Sequence, residues 1–242
     1  MCGRFSVTAS AQNVMDEFSV TGLDWIPPRY NIAPTQPVLV VREGRLGREI
    51  VLMRWGLVPR WAKDPSRLPL LFNARADTLD LKPAFRGALR HRRVVVPASG
   101  FYEWRRSPDG RQKEAYYFRP RDGRLLALAG LWEDYSDDKG NEVDTVTIVT
   151  TEANGDVSSI HDRMPVIIPE EMLGRWIGGD RGREGLPLDL LGPSPSGLLE
   201  AIPVGPRVNS AANDDAALQE PVAPSSRAAE EKDPLGTQLD LF

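Results

Sequence analysis

The chain has 242 residues, 41% of them hydrophobic, with 30 Lys and Arg against 34 Asp and Glu. That length suits one large domain or two small ones, and no apolar run approaches the length of a membrane-crossing helix. A single cysteine, Cys2, excludes internal disulfides and any Cys-rich zinc site.

The N-terminus, Met1-Cys2-Gly3-Arg4-Phe5, has no apolar segment behind it, so it does not read as a signal peptide and a cytoplasmic protein is expected. The net charge of −4 is unevenly spread. Residues 1–124 hold 22 basic against 12 acidic side chains, residues 125–210 hold 6 against 15, and residues 211–242 hold 2 against 7. A basic first half is what a phosphate-binding surface requires, and it is equally what a solvated surface can carry.

Taken in chain order, apolar spacing predicts a helix over Ala11–Phe18. Pro37–Val41 and Glu49–Trp55 alternate as a hairpin turning at Glu43-Gly44. Pro83–His91 reads as a helix and Val94–Pro97 as a short buried strand. Ala115–Arg119 and Leu125–Trp132 read as a second hairpin around Asp122-Gly123, followed by a β-rich run at Asp144–Thr151. Pro169–Trp176 is expected as a helix, with Pro169 at its first position and Glu170 and Glu171 in its first turn. Gly197–Ala201 is expected as another. These elements make an α+β class: a single domain over residues 1–220, built on antiparallel, barrel-like strands with flanking helices. Residues 221–237 are rich in Pro, Ser, Ala and charge and read as a flexible linker before an apolar end at 238–242.

Several residues carry chemistry. Removing Met1 would leave Cys2 with an α-amine and a thiol on adjacent carbons, with free pKa values of about 7.7–8.0 and 8.5. Such an aminothiol condenses with an aldehyde to an imine and closes through sulfur to a thiazolidine. Asn73 and Arg75 follow the apolar Leu70-Leu71-Phe72, and Glu103 sits among the aromatics Phe101, Tyr102 and Trp104. An apolar setting raises a carboxyl pKa and suits it to proton transfer near pH 7. His161 lies in Ile160-His161-Asp162-Arg163-Met164-Pro165, whereas His91, between arginines, reads as a surface residue. Each of these has an ordinary alternative: a turn asparagine, a paired glutamate, a satisfied histidine. Trp55 and Trp104 read as core.

Taken together, six motifs resemble the SOS response-associated peptidase family, also called abasic site processing proteins. They are Met1–Phe5, Tyr30-Asn31-Ile32-Ala33-Pro34-Thr35, Arg54-Trp55-Gly56-Leu57-Val58-Pro59, Phe72-Asn73-Ala74-Arg75-Ala76, Gly100–Trp104 and Ile160–Pro165. The resemblance implies that Cys2 captures the ring-opened sugar of an abasic site in single-stranded DNA. It implies that Asn73 orients the amine, Glu103 shuttles protons, and His161 assists as acid and base. Arg75 and Arg163 are the implied phosphate ligands, with Arg4 a weaker one, and Trp61 the implied base-stacking residue. Some relatives carry a second aromatic where this chain has Ala62, which makes the stacking platform smaller. No metal or cofactor is implied, and a monomer working in the nucleoid is expected.

Two other readings stay open from sequence. One is a cysteine peptidase or amidohydrolase using Cys2 and His161. Class II glutamine amidotransferases also open with Met-Cys-Gly, though they usually continue with an apolar residue where this chain has Arg4. The other is a non-enzymatic reader of single strands with Cys2 merely buried. Finally, Gln238-Leu239-Asp240-Leu241-Phe242 resembles the bacterial sliding-clamp-binding pentapeptide. Leu239, Leu241 and Phe242 would be its apolar anchors and Gln238 its rim hydrogen bond.

Overall fold

The computed structural model describes residues 2–106, 113–137, 139–178 and 185–223. Met1, the terminal motif Gln238–Phe242 and all but the start of the expected linker lie outside the described residues. The strands are β1 Phe5–Val7, β2 Arg29–Ile32, β3 Pro37–Gly44, β4 Gly47–Trp55, β5 Asn73–Arg75, β6 Arg93–Ala98, β7 Gly100–Arg106, β8 Lys113–Pro120, β9 Leu126–Ser136, β10 Glu142–Glu152, β11 Arg163–Pro165 and β12 Leu199–Val204. Among the described residues three α-helices flank them: α1 Ala11–Phe18, α2 Arg86–His91 and α3 Leu173–Ile177.

One sheet runs β12-β8-β7-β1-β2, antiparallel throughout. In the other, β10, β4, β3, β6 and β9 pair in turn, and β9 pairs back to β10. Hydrogen bonding therefore closes a five-strand ring, which leaves its members no open edges. The expected α+β domain on antiparallel, barrel-like strands is what the structure has, except that β10 runs parallel to β4 and to β5. The two halves of β10 differ in their neighbours. Its first half is flanked by β9 and β4, and its second half by β5 on one edge and β11 on the other.

Side-chain alternation splits the apolar residues between two cores. On β6, Val94, Val96 and Ala98 join Phe5, Phe101, Phe118 and Trp55 in the core shared with the first sheet. Val95 points the other way, into the layer formed by Val14 and Phe18 of α1, Leu89 of α2 and Trp176 of α3. Helix α1 has the expected bounds: Ser10 caps its N-terminus by accepting from Asn13 N at 3.2 Å, and Ser19 ends it in the left-handed region. Arg93 is buried where α2 and α3 end. It donates to the carbonyls of Leu89 and Trp176 at 2.7 Å and of Arg90 at 3.1 Å, satisfying orphan acceptors at both helix ends.

Several expectations need correction. The first hairpin turns at Arg45-Leu46, two residues later than expected. The strands continue through the Arg42–Glu49 ion pair at 2.6 Å to the Gly44–Gly47 pair, where Gly47 takes a φ of 122°. Strands β8 and β9 do not form a hairpin: the turn at Asp122-Gly123 carries the chain from one sheet to the other. The segment Gly197–Ala201 is not a helix. Leu199 onward forms β12, held by antiparallel pairing along β8. Helix α2 begins three residues later than expected, and the Pro169–Trp176 helix is a 3-10 turn at Glu170–Met172 running into α3.

Candidate active site

Strand β1 delivers the N-terminus to the site. Phe5 pairs with Phe101 and Ser6 with Gly100, and Tyr102 N donates to Arg4 O at 2.9 Å. Continuing that antiparallel register sets Gly3 opposite Glu103 and brings Cys2 alongside. Cys2 is fully buried, its Sγ 3.9 Å from Arg4 O. Burial, and after it the negative charge of Glu103, push the thiol pKa far up, so the sulfur keeps its proton at neutral pH. Glu103, only 2% exposed, pairs with Tyr116 across the sheet. Burial among aromatics pushes its carboxyl up to about 7.

His161 comes from the turn that follows β10. Buried Asn154 builds that turn: its Oδ1 accepts the N–H groups of Asp156 and Val157 at 3.0 and 3.3 Å, and its Nδ2 donates to the carbonyls of Ser194 and Pro195. His161 N then donates to Val157 O at 3.0 Å. The ring Nδ1 lies 2.9 Å from Arg163 N and 3.0 Å from Asp162 Oδ1, and Nε2 is 3.7 Å from Glu103 Oε2. Burial lowers the His161 pKa while it raises that of Glu103. Burial thus reverses the order of the free side chains, so that in the site the carboxyl holds a proton more tightly than the imidazole does.

A cleft of about 470 Å³ opens over this pair, lined by Glu103, Trp104, Arg106, Lys113, His161 and Asn209. Trp104, expected in the core, is instead a half-buried wall of this cleft, its Nε1 donating to Asn209 Oδ1 at 2.7 Å. Trp55 is core as expected, with Nε1 donating to Phe72 O at 2.8 Å. Sequence reasoning missed Arg106, Lys113 and Asn209 as lining residues. Nothing local singles them out: Arg106 and Lys113 meet because β7 pairs with β8, and Asn209 arrives from the distant turn Pro206–Asn209.

The amide and the arginines are mounted on β10. Asn73 pairs with Ile148 and Arg75 with Thr150 on one edge, and Arg163 pairs with Glu152 on the other. Asn73 Nδ2 donates to Phe72 O at 3.1 Å, while its Oδ1 is buried without a hydrogen-bond partner among the described residues. Arg75 is exposed and forks onto Asp77, whereas Arg163 is largely buried and donates to Thr150 O at 2.7 Å. Arg4 faces inward. Its guanidinium donates to Asn31 Oδ1 and Val208 O, both at 2.8 Å, and to Asn209 O at 3.3 Å. These bonds tie β1 to β2 and to the Pro206–Asn209 turn behind the cleft. Trp61 is 59% exposed on the segment after β4, while Ala62 beside it is 7% exposed. His91 is exposed, as expected. Among the described residues no group of His, Cys, Asp and Glu is placed to hold a metal ion, and no helix is long and apolar enough to cross a membrane.

A family model described as SOS response associated peptidase (SRAP) matches residues 1–211. The chain is 36% identical over 223 residues to the abasic site processing protein YoaM of Bacillus subtilis, covering 90% of this chain and 97% of that one. It is 35% identical over 217 residues to the abasic site processing protein HMCES of Gallus gallus, covering 77% of this chain and 64% of that one. A solved structure of a Bacteroides thetaiotaomicron protein superposes with a TM-score of 0.81 at 24% identity, covering 92% of this chain and all of that one. With the family matched from the buried Cys2 through Asn73, Glu103 and His161 and on to residue 211, the chain belongs to the SOS response-associated peptidase (SRAP) family.

Proposed function

We propose that this protein, once Met1 is removed, captures abasic sites in single-stranded DNA covalently through Cys2. The observation that carries the reading is the Glu103 carboxyl buried beside both Cys2 and His161, where burial pushes it up to about 7. The Cys2 amine attacks C1′ of the ring-opened sugar. Loss of water from the carbinolamine gives an imine, and Sγ then adds to the imine carbon. The thiol proton passes to nitrogen and a thiazolidine closes, with one water released overall. Glu103 and His161 carry protons to the departing hydroxyl and between sulfur and nitrogen. Asn73 Oδ1, a buried acceptor, orients the amine. Arg75 and Arg163 hold phosphates beside the lesion, and Trp61 stacks on a base. The names of the relatives, abasic site processing proteins, support this substrate.

The same site argues against the cysteine peptidase reading. A peptidase cysteine attacks as a thiolate and is set where its pKa falls. Here burial and the Glu103 charge raise it, whereas the aminothiol route starts from the amine and uses the thiol only in ring closure. The terminal Gln238–Phe242 is proposed to dock on the bacterial sliding clamp. The reading rests on the likeness of these five residues to the clamp-binding pentapeptide, with Leu239, Leu241 and Phe242 as apolar anchors.

Incubation with an abasic oligonucleotide, followed by denaturing electrophoresis, tests the chemistry. The wild type should give a heat-stable adduct. Cys2→Ala should give none while still binding single strands, and Cys2→Ser should give only an imine that requires borohydride to trap it. A heat-stable adduct from Cys2→Ala would overturn the mechanism.

A further inference from the structure

Two cations from opposite edges of one strand converge on a single carboxylate. Arg75 stands on β5 and Arg163 on β11, and Thr150 of β10 pairs with both Arg75 and Pro165. Asp77 lies in the 3-10 turn Ala76–Thr78 immediately after β5. Its Oδ1 accepts from Arg75 Nε at 3.2 Å and its Oδ2 from Arg75 Nη2 at 2.8 Å, the two-pronged geometry a phosphate also uses. The same Oδ1 is 3.9 Å from Arg163 Nη2. Arg163 Nε is buried without a hydrogen-bond partner among the described residues, so this guanidinium has a donor that Asp77 does not use.

From this arrangement we infer that Asp77 is an internal competitor for phosphate, occupying the two arginines in the DNA-free protein and weakening its grip on the strand. The inference rests on the reading of Arg75 and Arg163 as phosphate ligands. Both partners in the Arg75–Asp77 pair are about half exposed, so water competes for the pair and a strand phosphate can displace the carboxylate. Asp77 sits on a short surface turn and can swing outward when that happens. The consequence is a low affinity for undamaged strands. Capture of an abasic site is covalent and needs no tight prior binding, whereas a protein that held every intact strand firmly would be sequestered away from lesions.

The test uses an intact single-stranded oligonucleotide without an abasic site, so that no covalent step intervenes, and measures its affinity by fluorescence anisotropy across a salt series. Asp77→Asn should bind up to about fivefold more tightly than wild type, the range an exposed ion pair can withhold. Its plot of log affinity against log salt should keep close to the wild-type slope, because the same phosphates are held once the carboxylate has been displaced. Asp80→Asn removes the same charge from a neighbour that shares a cleft with Asp77, and should give a clearly smaller gain. In an Arg75→Ala, Arg163→Ala background the gain from Asp77→Asn should vanish.

If Asp77→Asn leaves affinity unchanged or weakens it while the double arginine variant flattens the salt slope, Asp77 only positions the arginines and the inference is overturned. Equal gains from Asp77→Asn and Asp80→Asn also overturn it, since they reduce the effect to net charge. If instead the double arginine variant keeps the wild-type slope, the arginines do not hold phosphate, and it is the underlying reading that fails.

Discussion

Replacing Glu103 by Gln separates what that side chain does for the reaction from what it costs the fold. The buried carboxyl has its pKa raised from 4.5 to about 7, so the folded state binds its proton more tightly than the unfolded chain does. The stability contributed by that proton is fully present below about pH 4.5 and is lost as pH rises through about 7. The difference of roughly two and a half pH units corresponds to about 3 kcal/mol, and because the side chain is almost wholly enclosed, solvent screening takes little from it. Glu103→Gln keeps the shape and never ionises. Its urea or thermal unfolding should match wild type near pH 4, become progressively more stable between pH 4.5 and 7, and level off at an advantage of up to about 3 kcal/mol above pH 7.5. For a domain of this size, that is roughly 6–12 °C in melting temperature. The same variant should form the DNA adduct more slowly, with little change in affinity for intact strands. A Glu103→Gln protein less stable than wild type at pH 8 would refute the reasoning, because it would mean that the charged carboxylate is held by stabilising partners and its pKa is not raised.

Trp61→Ala should weaken binding to single strands by about 1–3 kcal/mol, the worth of one stacked base, and leave the melting temperature unchanged because the ring is largely in solvent. Arg93→Met should do the reverse. Stripping the buried donor from the carbonyls of Leu89, Arg90 and Trp176 should cost about 3 kcal/mol in denaturant unfolding, with adduct formation by the folded fraction unaffected. Deleting Gln238–Phe242 should abolish association with the bacterial sliding clamp, measured by surface plasmon resonance, and leave adduct formation on free oligonucleotides intact. Equal clamp affinity before and after the deletion would sink the tail proposal.

What could be read from the sequence was what periodicity can carry. The long alternations of β3, β4, β9 and β10 and the four-residue spacing of Val14 and Phe18 in α1 are local signals. The strands that carry much of the site are not. β5 and β11 have three residues each, too few for a period to register, and they exist because β10 offers each of them an edge. Pairing is equally non-local. The turn at Asp122-Gly123 looks like a hairpin connection from within, and only competition from β7 for β8, and from β6 for β9, makes it a crossover. In Gly197–Ala201, the cluster of Leu198, Leu199 and Ala201 fits a helix as well as a strand until β8 is present to pair with it. The contacts of Arg4, which the resemblance implies as a weaker phosphate ligand, are non-local in the same way. A count of arginines cannot reveal that this one is committed to an asparagine side chain and two backbone carbonyls. The nearness of Glu103 and His161, by contrast, was implied by motifs whose spacing along the chain says nothing of distance.

The burial of Cys2 bears on selectivity as well as on reactivity. A thiol with no exposed surface and a raised pKa is a poor target for the oxidants and electrophiles that attack accessible thiolates. In the proposed reaction the aldehyde must therefore be brought to the cysteine, and the cleft walled by Trp104, His161 and Asn209 is proposed as its way in, since it opens over Glu103 beside Cys2. A sugar that has lost its base is narrower than an intact nucleotide, which carries a base that the walls must also admit. A duplex resists the entry further, since its backbone is held in register by stacking. On this argument the proposed preference for abasic sites in single strands would come from access more than from recognition. Widening the cleft by Trp104→Ala should then admit bulkier aldehydes to Cys2 before it changes the rate with the abasic sugar itself.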